Sequence, residues 1–108
     1  MIMSGGEVRV LVATKPVDFR LGAPGLALLV HESFHENPYS GTIYVFRSKK
    51  SNRVKLLYSD GTGICLLSKT LDSGRFCWPT IADGTMPLTQ TQLAMLLKGL
   101  EWKHVRLV

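Results

Sequence analysis

Two groups of residues have the types and spacing to do chemistry. His31-Glu32-Ser33-Phe34-His35 matches H-E-x-x-H, in which two histidines one helical turn apart hold zinc and the glutamate acts as general base of a metalloprotease. The second group is cationic: Arg47, Lys49, Lys50, Arg53 and Lys55 follow one another with no acidic residue among them. Clusters of this kind contact polyanions, either nucleic-acid phosphates or an acidic protein surface. Widening the window to Gly41 through Trp78 adds Lys69 and Arg75 against Asp60 and Asp72, a balance of +5 that equals the formal charge of the whole chain. Outside this window, basic and acidic residues cancel.

The zinc reading is the weaker of the two. At about 100° per residue, His31 and His35 project away from the Leu26, Val30 and Ser33 side of their helix and toward solvent. Glu36-Asn37-Pro38 ends the helix, no G-x-x-H follows, and the remaining histidine is His104. Exposed histidines without metal are the expectation, and a zinc metalloprotease-like enzyme through His31, Glu32 and His35 is the remote alternative. Asp18, Asp60 and Asp72 sit where a helix entry or a turn uses an Asp, which argues against a nuclease-type metal site. Asp18 with Arg20 forms a cap and salt bridge for the first helix in this reading. Neither G-x-x-x-x-G-K-[ST] nor a dinucleotide fingerprint occurs. No catalytic residue and no cofactor is expected. The cationic run is the main functional signal, with Arg47, Lys49, Lys50, Arg53, Lys55 and Arg75 as candidate nucleic-acid contacts on a β-ribbon. The bland counterpart is that lysines at a loop tip only keep it soluble.

These residues need elements to hold them. Thr42 to Arg47 sets Tyr44 and Phe46 on one side and Ile43 and Val45 on the other, so both faces want burial. Val54 to Tyr58 follows, and Asp60-Gly61-Thr62-Gly63 turns it into Ile64 to Thr70, because Gly accepts the positive φ of hairpin turns. An antiparallel meander results, with Val8 to Ala13 as a further strand ended by Pro16. Pro24 opens a helix whose stripe is Leu26, Leu29, Val30, Ser33 and Phe34. Arg75 to Pro79 is extended and Thr80 to Pro87 is a loop. Thr89 and Gln92 have the spacing of a capping box, starting a helix with the stripe Leu93, Leu96, Leu97 and Leu100. Val105 to Val108 has the composition of a closing strand. The expected fold is α+β: an antiparallel meander sheet with one helix from the N-terminal half and one from the C-terminal part packed on it.

With 108 residues the chain is expected to make one domain, residues 7–108, behind a disordered tail at 1–6. Cys65 and Cys77 are too few and too far apart for a redox or zinc pair, which points to reduced thiols in the cytoplasm. The longest apolar runs, Leu26 to Val30 and the equally long Leu93 to Leu97, fall far short of the about 20 residues a membrane span needs, and the opening residues lack the features of a secretory signal.

Several blocks recur in an order that is more specific than any one of them. They are Asp18-Phe19-Arg20-x-Gly22, Gly25-Leu26-Ala27-x-Leu29-Val30, Asn37-Pro38-Tyr39-Ser40-Gly41, Val45-Phe46-Arg47, Lys55-Leu56-Leu57-Tyr58, Asp60-Gly61-x-Gly63, Leu71-x-x-Gly74-Arg75-Phe76-x-Trp78-Pro79 and Gln92-Leu93-Ala94-Met95-Leu96-Leu97-x-Gly99-x-x-Trp102. From about Val8 to Trp102 the chain resembles the TnpB accessory proteins, second open-reading-frame products of bacterial insertion sequences of the sixty-six family. They are unrelated to the RNA-guided nuclease of the same name. The resemblance implies a non-enzymatic factor encoded beside a separate, larger transposase and assisting transposition. It supplies no catalytic residues. Its implied partners are DNA at the insertion-sequence ends and the transposase itself, the second making the chain a protein-protein adaptor. Phe19 and Leu21 stand where the family pattern has Met and Lys, and Thr70 where it has Arg.

Overall fold

Alternation along the strands places a hydrophobic core on each side of one sheet. The computed structural model describes residues 8–80 and 84–103; the opening tail at 1–6, His104 and the expected strand Val105 to Val108 lie outside the described residues. Its elements are β1 (Val10–Ala13), α1 (Ala23–Phe34), β2 (Ile43–Arg47), β3 (Arg53–Ser59), β4 (Ile64–Thr70), β5 (Thr85–Leu88) and α2 (Gln90–Leu97). The strands form one sheet in the order β4-β3-β2-β1-β5. β2, β3 and β4 pair antiparallel as a meander.

The sheet is mixed, which corrects the antiparallel expectation. β1 runs parallel to β2, with Val10 beside Ile43 and Val12 beside Val45. The cause is α1, which carries the chain back between them; a crossover of this length is what parallel neighbours require. The loop expected over Thr80 to Pro87 also contains a strand, since β5 pairs antiparallel with β1. Pro87 obscures it in the sequence, and Pro is tolerated there because β5 is an edge strand.

Odd and even positions then separate. Leu11, Ala13, Tyr44, Phe46 and Leu57 join Leu26 and Val30 of α1. On the opposite face, Val10, Val12, Ile43, Val45, Val54 and Leu56 meet Leu93 and Leu96 of α2 together with Phe76, Trp78 and Trp102. The two helices thus cover opposite faces of the sheet. Burial on both sides explains why Ile43 to Phe46 carries no charged residue.

The capping box is formed: Thr89 Oγ1 accepts from the Gln92 N–H at 3.1 Å, and Gln92 Oε1 accepts from the Thr89 N–H at 3.0 Å. The apolar stripe of α2 is shorter than expected. The helix ends at Leu97, so Leu100 falls beyond it and is 48% exposed. Trp102 fills the core in its place, its indole N–H donating to the Cys77 carbonyl at 2.6 Å. Leu96 is 0% exposed, and Leu96→Ala is expected to cost about 2–5 kcal/mol. Thermal unfolding checks this: a melting temperature equal to wild type would remove Leu96 from the core.

Candidate nucleic-acid interface

The β2–β3 connection is built by short-range hydrogen bonds that its own residue types supply. Ser51 takes a left-handed φ of 58°, and its N–H donates to the Ser48 carbonyl at 3.0 Å. Ser48 Oγ accepts from the Arg53 N–H at 3.2 Å and pairs with Asn52 Oδ1 at 3.3 Å. Arg47 clamps the turn from below, Nη1 donating to the carbonyls of Ser48 (3.4 Å) and Lys49 (3.3 Å) and to Ser51 Oγ (3.1 Å). Three further segments are tied to this tip. The Phe76 N–H donates to the Ser51 carbonyl at 2.7 Å, the Leu71 N–H to that of Asn52 at 2.9 Å, and the Val17 N–H to that of Arg47 at 3.1 Å. Trp78 closes the frame, its indole N–H donating to the Ala13 carbonyl at 2.8 Å.

A concave site of about 520 Å³ opens between these segments, and Lys15, Arg47, Lys49, Lys50, Arg75 and Trp78 are among its lining residues. No carboxylate is among the described residues that line it. Lys49, Lys50 and Arg75 are exposed. Arg47 is half-buried, and its Nε is a buried nitrogen with no hydrogen-bond partner. Four of the six candidates from the sequence therefore converge: Arg47, Lys49, Lys50 and Arg75.

Arg53 and Lys55 lie instead against the β1–α1 loop. They flank the Phe19 ring, the Arg53 guanidinium carbon 5.0 Å and Lys55 Nζ 4.8 Å from its centroid. Arg53 keeps its exposure, whereas Lys55 is only 8% exposed. Its ammonium donates to the carbonyls of Phe19 at 2.8 Å and Leu21 at 2.9 Å. On β3, Lys55 alternates with Val54 and Leu56 and so shares the α1 side with Leu57. Burial, followed by repulsion from Arg53, pushes its pKa down. Lys55 is a structural cation that holds a loop, and its placement does not fit a phosphate contact.

The same loop carries Asp18 and Arg20, whose side chains pair at 2.8–3.1 Å. This hydrogen bonding, led by the Arg20 side chain, lowers the Asp18 pKa to about 2. The salt bridge is as expected, but Asp18 does not cap α1: the capping position belongs to Gly22, which offers no side-chain bond. At the β3–β4 turn, Asp60 Oδ1 accepts from the N–H and hydroxyl of Thr62 and the N–H of Gly63 at 2.8–3.0 Å. Bonds of this kind, led by the Thr62 N–H, hold the Asp60 pKa at about 2. Both aspartates are thus occupied by local turn and loop bonds.

The family model described as IS66 Orf2 like protein matches residues 8–107. This chain belongs to that family. In Sinorhizobium fredii, the uncharacterized protein y4hO is 44% identical over 104 residues, which cover 96% of this chain and 90% of the relative. The uncharacterized protein y4jC of the same organism is 41% identical over 106 residues, covering 98% and 91%. No solved structure gives a significant match. The family is one of accessory proteins of insertion sequences.

For this Orf2-like chain the H-E-x-x-H match finds no support in the geometry. α1 ends at Phe34, and His35 turns out of it with a left-handed φ of 55°. The two histidines therefore do not stand on successive turns of one helix, and both are exposed. Among the described residues there is no group of three or more His, Cys, Asp or Glu able to hold a metal. Cys65 and Cys77 are free thiols, Cys77 donating to Glu101 Oε2 at 3.4 Å. Sequence reasoning missed Lys15. The signal was available: it follows β1 directly, and once β1 is parallel to β2 the ends of both strands, with Lys15 and Arg47, reach the same edge of the sheet. Open sheets bind ligands at the carboxyl ends of parallel strands.

Proposed function

We propose that this IS66 Orf2-like protein assists transposition without catalysis of its own, by contacting DNA at the insertion-sequence ends through the surface around the β2–β3 connection. What carries this reading is the convergence of Arg47, Lys49, Lys50 and Arg75 on one concavity free of carboxylates among its described lining. Lys49, Lys50 and Arg75 are the phosphate contacts, Arg47 is the clamp that shapes the tip, and Arg53 stands apart from them over the Phe19 ring. Lys55 is assigned to the fold. The segments that present these cations are cross-tied by backbone hydrogen bonds, so little ordering entropy is lost on binding. No described helix is long and apolar enough to cross a membrane, and the reading places the protein with DNA in the cytoplasm.

A duplex carrying the element ends is the test. Each neutralised phosphate contributes a slope of about −0.9 to log K against log salt, so three contacts give about −2.7, or about a 40-fold loss of affinity from about 50 to 200 mM salt. Absence of salt-sensitive binding at low ionic strength would overturn the DNA reading.

A second reading, an adaptor for the separately encoded transposase, is favoured by a different feature. β4 is an edge strand of seven residues, and its Leu67 is 47% exposed. An open edge with an exposed apolar side chain is a template for a strand from another chain. The adaptor predicts capture of the transposase with little affinity for DNA alone.

A further inference from the structure

We propose that the cationic pocket at the shared end of β1 and β2 receives the terminal phosphate of a DNA strand. This rests on the DNA reading above and narrows it from duplex backbone to strand ends. The first argument is shape. Phosphates of an intact duplex lie on a convex ridge, and lysines on a flat surface or a projecting loop suffice to meet them. A recess of about 520 Å³ is in the size range of small-ligand sites. A strand end can place its phosphate deeper in such an open recess than the middle of a duplex can.

Charge is the second argument. A phosphomonoester carries about −1.5 to −2 at neutral pH against a single charge on a phosphodiester, so a site lined by several cations gains more from an end than from an internal linkage. Arg47 adds a fixed positive charge to the lining. Three bonds from Nη1 fix this guanidinium to the turn. Arg75 approaches from another segment, positioned by the Phe76 N–H bond to Ser51. Pro16, Trp78 and Pro79 supply an apolar wall suited to the terminal sugar. Because Trp78 is fixed to Ala13 by its indole N–H, that wall is present before the ligand arrives.

Two measurements test the assignment. Thymidine 5′-monophosphate, titrated into the full chain and followed by amide and indole NMR shifts, is expected to move the Trp78 indole and the Lys15, Lys49 and Arg75 amides, whereas thymidine leaves them in place. Arg75→Gln, an exposed change away from the cores, is expected to weaken the nucleotide about tenfold or more. Duplexes that differ only at their ends form the second arm. A 5′- or 3′-phosphate is expected to tighten binding about tenfold over hydroxyl ends or ends closed by hairpin loops, and Arg75→Gln is expected to abolish that difference. Salt-sensitive binding with equal affinity for phosphate and hydroxyl ends would overturn the pocket assignment and leave the DNA reading standing. No salt-sensitive duplex binding at all would overturn both.

Discussion

Lys55→Glu is expected to destabilise the protein by about 3–5 kcal/mol, the cost of leaving an uncompensated charge where a satisfied one was buried. The wild-type ammonium sits 2.8 and 2.9 Å from two carbonyl oxygens, those of Phe19 and Leu21, and against the face of the Phe19 ring. A carboxylate in that position meets two acceptors and the negative face of a π system, so every interaction reverses sign. Lys55→Met separates charge from shape. It keeps the apolar stem but leaves the two carbonyls without this donor, a loss of about 1–3 kcal/mol. Thermal unfolding of both variants reads the effect, and for a chain of this length Lys55→Glu should lower the melting temperature by more than about 10 °C. At temperatures where it is folded, Lys55→Met should bind DNA as wild type does, because the ammonium is engaged inside the fold. Wild-type melting in Lys55→Glu would mean that the loop does not depend on this cation.

Lys55 also shows what a charge count along the sequence contains and what it omits. Arg47, Lys49, Lys50, Arg53 and Lys55 look equivalent as a run, but a strand sends alternate side chains to opposite faces, and β3 buries both of its faces at this point. Elements with strong local signals were legible. Gly61 marked the β3–β4 turn, Thr89 and Gln92 marked the start of α2, and β2 showed two apolar faces. What local signals do not encode is which strands become neighbours. β1 could have joined the sheet in either direction; its parallel pairing follows from α1 crossing over before β2 begins, and only that pairing brings Lys15 to the site. β5 was hidden because Pro87 interrupts Thr85-Met86-Pro87-Leu88 and the strand gains its ladder from β1. His35 was equally unreadable, since nothing in H-E-S-F-H announces that the helix stops one residue before the second histidine.

Reversing two charges at the tip, Lys49→Glu with Lys50→Glu, should have the opposite profile to Lys55→Glu: a large effect on binding and almost none on stability. Both side chains are exposed, and the turn is held by the backbone carbonyl of Lys49, which the substitution keeps. Exposed changes of this kind usually move stability by less than about 0.5 kcal/mol. Binding loses two charge-assisted contacts, each worth at least about 1.5 kcal/mol, so affinity for duplex should fall about 100-fold or more even before the repulsion of the new carboxylates. The salt dependence should flatten as well, from a slope of about −2.7 toward about −0.9 as Arg75 becomes the remaining contact. Any preference among DNA sequences should survive, because cations on phosphates fix position without reading bases. If the tip serves an acidic surface of the transposase instead, the same double substitution weakens capture of the transposase while DNA affinity, low to begin with, stays where it was. A variant with wild-type DNA affinity and an unchanged salt slope would remove the β2–β3 connection from the DNA interface.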